Sequence, residues 1–154
     1  MTSPSTMVGH LCQHAEQRPS RVAMREKRLG LWTEITWLEY RDMVVTTARA
    51  LELLGVKAAD GVGILSDNRP EWLYADLGAQ LLGARGVGIC QTNPPEDVAY
   101  VVNDSSCSVL FCEDQEQVDK AVEIADQTPT LKHIVVFDPR GTQDIDDERL
   151  LSWR

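Results

Sequence analysis

The chain has 154 residues, enough for one domain with a real core. Its 24 acidic and 15 basic residues give a formal net charge of −9, which argues against nucleic acid or an anionic membrane surface as the main partner. Cys12, Cys90, Cys107 and Cys112 show no metal-type CxxC pairing, and several lie in apolar runs, so they read as reduced core residues of a cytoplasmic protein. The opening residues do not read as a signal peptide, and no apolar run is long enough to form a transmembrane segment.

Residues 1–6 are polar and expected to fray. Met7 to Gln17 reads as a helix that ends before Arg18-Pro19. Its His10 and His14 lie one turn apart, a spacing that a metal ion accepts, but no third ligand is in view. Val22 to Arg25, a turn at Lys27-Arg28-Leu29-Gly30, and Leu31 to Ile35 make a β-hairpin. The basic cluster Arg25, Lys27 and Arg28 reads as a solvated hairpin tip rather than an anion site. Thr36-Trp37-Leu38-Glu39 is a capping box. Beyond it Tyr40, Met43 or Val44, Ala48, Leu51 and Leu54 recur at helical spacing until Gly55 stops the helix.

Val62 to Leu65 is the first strand of a sheet. It stops at Ser66-Asp67-Asn68, residues that favour turns and helix N-caps. Pro70 suits the first helical turn, and Glu71 places a negative charge near the positive end of the helix dipole. The helix runs through Trp72 to Leu82 and stops at Gly83; it is apolar nearly all round, so most of its faces need cover. Ala84 to Cys90 is a second strand. The loop Gln91-Thr92-Asn93-Pro94-Pro95 opens a helix from Glu96 to Asn103, with Asn93 as the expected N-cap. Ser108 to Cys112 is a third strand, Gln115 to Ala125 an amphipathic helix with Val118, Ala121, Val122 and Ala125 inward, and His133 to Phe137 a fourth strand. Strands alternating with helices imply an α/β fold with a parallel sheet covered on both faces. Residues 140–154 carry no stop signal and are expected to be flexible. Trp32, Trp37, Trp72 and Trp153 are assigned to packing.

Several of these blocks, in this order, carry a resemblance: Gly55-Val56, Asp60-Gly61-Val62-Gly63-Ile64-Leu65-Ser66-Asp67-Asn68-Arg69-Pro70-Glu71-Trp72, and Gly83-Ala84. Together they resemble the N-terminal region of acyl-CoA synthetases, which are AMP-forming members of the adenylate-forming superfamily. The resemblance runs from about Val8 to about Asp138. The block from Gly86 to Ser105 is similar to the long-chain fatty-acid–CoA ligase branch, where a Tyr/Gln-Thr-Asn/Ser turn precedes a Pro-started helix. The resemblance implies a Rossmann-like sheet and makes residues 1–154 part of a larger AMP-binding domain. It also implies activation of a fatty acid by ATP, with magnesium, followed by transfer to coenzyme A. Two departures stand out. Asp60-Gly61-Val62 lacks the basic residue of the family's Gly-Asp-Arg/Lys-Val, and Cys90 stands where long-chain members often have Tyr.

That chemistry needs a phosphate cradle, a magnesium ligand, ribose contacts and a cation on the developing charge. In the family these are a Ser/Thr/Gly-rich loop, a Tyr-Thr-Glu-type segment, an Asp, and a Lys on a small C-terminal domain. None occurs in this sequence, nor does GxxxxGK[ST], and Gly83, Gly86 and Gly88 fit no dinucleotide fingerprint. No catalytic, cofactor-binding or metal-ligating residue is therefore assigned within 1–154. Asp144, Asp146, Asp147 and Glu148 read as a solvated acidic loop, and Asp67-Asn68 as turn residues. Gln91-Thr92-Asn93 is the better candidate to line a site. Two other readings stay open. One is a non-enzymatic α/β interaction module, or a truncated remnant pairing with a full-length ligase or with itself. The other is a flavodoxin-like nucleotide-binding domain.

Overall fold

The computed structural model describes residues 5–153. The expected fraying of residues 1–6 falls mostly on residues 1–4, which lie outside the described ones. Thr6 lies within them and caps helix α1 (Met7–Gln17) by accepting a hydrogen bond from the Gly9 amide at 3.0 Å. Strands β1 (Val22–Arg28) and β2 (Leu31–Thr36) form an antiparallel hairpin. Its two turn residues, Leu29 and Gly30, both have positive φ, 49° and 82°. Gly adopts that geometry freely, whereas for Leu it costs about 1–2 kcal/mol. Thr36 then caps α2 (Trp37–Leu53) in the expected box, its amide donating to Glu39 Oε2 at 2.8 Å and its Oγ1 accepting from the Glu39 amide at 3.3 Å.

Strands β3 (Gly61–Leu65), β4 (Arg85–Ile89), β5 (Cys107–Cys112), β6 (His133–Val136) and β7 (Leu150–Ser152) form one parallel sheet in the order β4-β3-β5-β6-β7. Helices α3 (Pro70–Leu81), α4 (Pro95–Asp104) and α5 (Gln115–Glu123) connect them. Side chains alternate across each strand and fill two cores. On one face Val62, Ile64, Val109 and Phe111 pack under Leu51 of α2 and Ala75 and Ala79 of α3. On the other, Leu65, Leu110, Cys112 and Ile134 pack under Val98 and Val102 of α4 and Val118 and Ala121 of α5. The strand added on one side of β3 brings its helix to one face, and those added on the other side bring theirs to the opposite face. Right-handed crossovers produce this arrangement. A third cluster, Leu11, Tyr40, Val44, Tyr74 and Leu77, fastens α1 to α2 and α3.

The apolar character of α3 has a packing explanation. Tyr74, Ala75, Leu77, Gly78 and Ala79 are buried between α2 and the sheet, and only Leu73 and Leu81 emerge as exposed large apolar residues of that helix. A Cβ on Gly78 would lie 2.9 Å from Thr47 Cγ2, so the small residue sets how closely α2 and α3 approach.

Four expectations need correcting. The sheet has five strands, not four, because the tail expected to be flexible contains β7. Ile145 and Leu150 pack against one core, and Trp153 sits edge-on to Phe111 and Phe137 at 5.7 and 5.2 Å. These few apolar contacts dock the segment without a run long enough to read as a strand. Neither Asp67-Asn68 nor Asn93 caps a helix: the N-caps are Arg69 and Pro94, without side-chain capping bonds. Before α3, Ser66 Oγ and the Asp67 amide bond Glu113, and before α4 the Asn93 amide closes a turn onto Cys90 O. Cys90 is exposed rather than in the core. Trp32 is likewise exposed, so packing does not account for it.

Candidate functional site

The C-terminal ends of β3, β4, β5 and β6 lie along one edge of the sheet. The chain turns from β3 to β4 on one side and then crosses to β5 on the other. The crevice between the ends of β3 and β5 is therefore the topological switch point, where open α/β sheets bind ligands.

In this chain Glu113 bridges that crevice. Its amide donates to Leu65 O at 3.1 Å, which extends the β3–β5 pairing by one residue. Its carboxylate accepts from the Asp67 amide at 2.7 Å and from Ser66 Oγ at 3.2 Å. Arg69 Nη1 lies 3.7 Å from the same carboxylate, and Arg69 Nε donates to Glu71 at 2.9 Å. The guanidinium also stands over the Phe137 ring, 5.4 Å from its centroid. Burial pulls the Glu71 carboxyl upward, but the Arg69 hydrogen bond and its own backbone amide more than offset this and hold it below its ordinary range. Arg140 binds both carboxylate oxygens of Asp138 beyond β6 and depresses that group to about 2. The Glu71, Glu113 and Asp138 carboxylates are thus paired with Arg69 and Arg140 and held as ions.

The loop after β4 is pinned from the opposite side. Lys120 of α5 donates to Gln91 O at 2.6 Å and to Gln117 Oε1 at 3.1 Å. The Asn93 amide closes a turn onto Cys90 O, and Cys90 Sγ lies 3.1 Å from Thr92 Oγ1. Hydrogen bonding from the Thr92 side chain, and then its backbone, holds the Cys90 thiol below its usual value. Burial acts oppositely on the strand thiols, pushing Cys107 up to about 11 and Cys112 higher still. A disulfide reagent added to the native chain at neutral pH should therefore label Cys90 rapidly and Cys107 and Cys112 only after unfolding. Peptide mass spectrometry over a time course reads this, and Cys90→Ser should remove the fast phase.

The structure thus brings Ser66 and Asp67 against Glu113, and Gln91 against Lys120. Glu113 and Lys120 received no role from the sequence; the only available signal was their place, one just past an apolar strand and one on a helix beside the loop. The remaining candidates stay apart. The His14 ring lies 4.5 Å from that of Trp37, with Arg18 also over the indole, while His10 is exposed. Asp147 pairs with Arg149 at 2.6 Å. Among the described residues, no three His, Cys, Asp or Glu side chains gather as a metal ion would require. No described helix is long and apolar enough to cross a membrane. An apolar cleft of about 300 Å³ lies away from this edge, between α2 and β5–β7, lined by Met43, Leu51, Leu54, Phe111, Val135 and Trp153.

Comparison with known proteins agrees with this architecture. The family model of AMP-binding enzymes matches residues 11–152. A long-chain-fatty-acid–CoA ligase of Rattus norvegicus is 35% identical over 136 residues, 88% of this chain and 20% of the relative. A long-chain-fatty-acid–CoA ligase of Mycobacterium bovis is 31% identical over 134 residues, 87% of this chain and 22% of the relative. The acetoacetyl-CoA synthetase of Streptomyces lividans shares the fold, with a TM-score of 0.83 at 22% identity, over 95% of this chain and 24% of that one. The chain spans about a fifth of the length of the curated relatives it matches. The family match takes in the whole five-stranded sheet and every helix but the first turn of α1, and the chain belongs to the AMP-binding enzyme family.

Proposed function

We propose that this chain serves as the opening part of the AMP-binding domain of a long-chain fatty-acid–CoA ligase. The parent reaction converts fatty acid, ATP and coenzyme A to acyl-CoA, AMP and pyrophosphate. The observation that carries the reading is the match across residues 11–152 together with 35% identity to a long-chain ligase. Residues 1–154 supply the sheet edge and the walls beside it. ATP, magnesium and coenzyme A are assigned to residues of the parent enzyme outside this segment, and no catalytic residue is proposed within it. The proposed setting is the cytoplasm, with attachment to the periphery of a membrane.

The test is a chimera that joins this segment to the downstream part of a long-chain ligase, assayed with acetate, octanoate, palmitate and 4-coumarate. Palmitate should be the preferred substrate. A preference for acetate or 4-coumarate would overturn the long-chain assignment. A second reading, a non-enzymatic module or remnant that pairs with a full-length ligase, is favoured by the apolar cleft beside Trp153, which leaves part of one sheet face without a helix of its own.

A further inference from the structure

The backbone places Glu113 in the crevice before its side chain makes any bond. Its amide donates to Leu65 O of β3 at 3.1 Å, and its carbonyl accepts from the Asp138 amide beyond β6 at 2.9 Å. The Cα is therefore fixed between the ends of β3, β5 and β6, and a change of side chain leaves both anchors in place. Around the carboxylate stand three donors from one short segment. The Asp67 amide and Ser66 Oγ reach the same oxygen, Oε2, at 2.7 and 3.2 Å, the hydroxyl proton being shared with the Asp67 carbonyl at 3.0 Å. Arg69 Nη1 lies 3.7 Å from the other oxygen, Oε1. Ser66 is buried, and only 17% of the Arg69 side chain is exposed. The guanidinium is itself held by Glu71 and by the Phe137 ring. A fixed amide, a hydroxyl and a guanidinium turned on one carboxylate form a donor set that suits any small oxyanion.

We propose that the switch point of this sheet is a built oxyanion site that the chain fills with its own carboxylate, Glu113 serving as a tethered ligand. In open α/β sheets such a crevice receives a group of a bound molecule. Here the occupant belongs to β5 and clasps the turn that leads from β3 into α3. A group tethered at a fixed Cα outcompetes free anions, because it never has to be captured from solution. A small carboxylate or phosphate is therefore kept out of the crevice while Glu113 is present. Without Glu113 the same three donors would accept it. Binding would be weak, because Glu71 also draws on Arg69 and Asp138 lies within reach of its field. Nothing here depends on the ligase assignment, and failure would leave that assignment to the chimera assay.

The test is rescue of Glu113→Ala in the full chain by formate, the smallest carboxylate, against chloride at equal ionic strength. In chloride the thermal midpoint of the variant should fall by about 5 °C, since a charge-assisted contact is lost and its donors are left unpaired. Formate should restore roughly half of that loss and saturate, as a ligand of the folded state does. The wild type should melt alike in the two salts. Glu113→Gln keeps the space filled with a neutral group, so it should be destabilised without rescue. In amide nuclear magnetic resonance spectra the Asp67 signal should move with formate in Glu113→Ala and stay still in the wild type. Should Glu113→Ala fail to fold in chloride, formate should raise the folded fraction seen by circular dichroism, and failure in both salts would overturn the proposal. Equal melting of Glu113→Ala in formate and chloride would overturn it too. So would equal rescue of Glu113→Gln, or stabilisation by formate that leaves the Asp67 signal unmoved.

Discussion

Given ATP, magnesium and palmitate, the 154-residue chain alone should exchange no pyrophosphate above a heat-treated control. Adenylate formation depends on positioning and on fixed charges aimed at the transferring phosphorus. Removing a single preorganised donor from such a site costs on the order of 10²–10³ in rate. Here the charges at the sheet edge are engaged with one another: the carboxylate at the switch point is held by the Asp67 amide, Ser66 and Arg69, and Asp138 by Arg140. Exchange should therefore stay at the uncatalysed level with this segment and appear only in the chimera. Turnover by the segment itself would mean that residues within 1–154 assemble a phosphate site, and would overturn the division of labour proposed above.

Gly61→Val should be the most damaging single substitution among the sheet glycines. A Cβ at Gly61 would lie 2.4 Å from the Ser105 carbonyl oxygen and 3.2 Å from Cys107 Cα. Both are backbone atoms, held by a turn in which Ser105 N donates to Val101 O and Ser106 adopts φ 52°. Arg85 also donates to the Ser105 carbonyl at 3.2 Å. The substitution must push β3 from β5 where they begin to pair, and the expected loss is about 3 kcal/mol. For a chain of this size that lowers the thermal midpoint by roughly 6–12 °C. Gly86→Ala is the control: its Cβ would meet Asp76 Oδ1, the end of a side chain that can turn away. That variant should melt within a few degrees of the wild type. Scanning calorimetry on both distinguishes a backbone collision from a general intolerance of side chains in the sheet.

The same corner shows why the sequence was legible in some places and not in others. Strands and helices with strong periodicity were readable because burial and pattern coincide, as in Val62 to Leu65 or Tyr40, Val44, Ala48 and Leu51. Capping was readable where it is local: Thr36 and Glu39 satisfy each other three residues apart. It was misread at Asp67, where a partner distant in sequence decides the outcome, its amide bonding Glu113 46 residues away; at Asn93 the chain makes one more turn, onto Cys90 O, and Pro94 becomes the N-cap. The missing basic residue at position 61 follows the same logic. No side chain fits there, and Arg85 of the neighbouring strand brings a cation to the adjacent carbonyls of Ala59 and Ser105. The tail was misread because β7 has only three paired residues and is held by Trp153 from beyond the strand. Glu113 and Lys120 were invisible because their roles are set by which strand ends the topology brings together.

The strand order also bears on how the chain is made. Synthesis delivers β3 and β4 first, and these pair with each other. Each later strand then emerges to find its neighbour already in place: β5 against β3, β6 against β5, β7 against β6. On a ribosome the sheet can grow by one strand at a time along a single advancing edge. Once β3 and β4 have paired, no strand has to wait for a partner that has yet to be translated, which limits the exposed edge through which nascent chains aggregate.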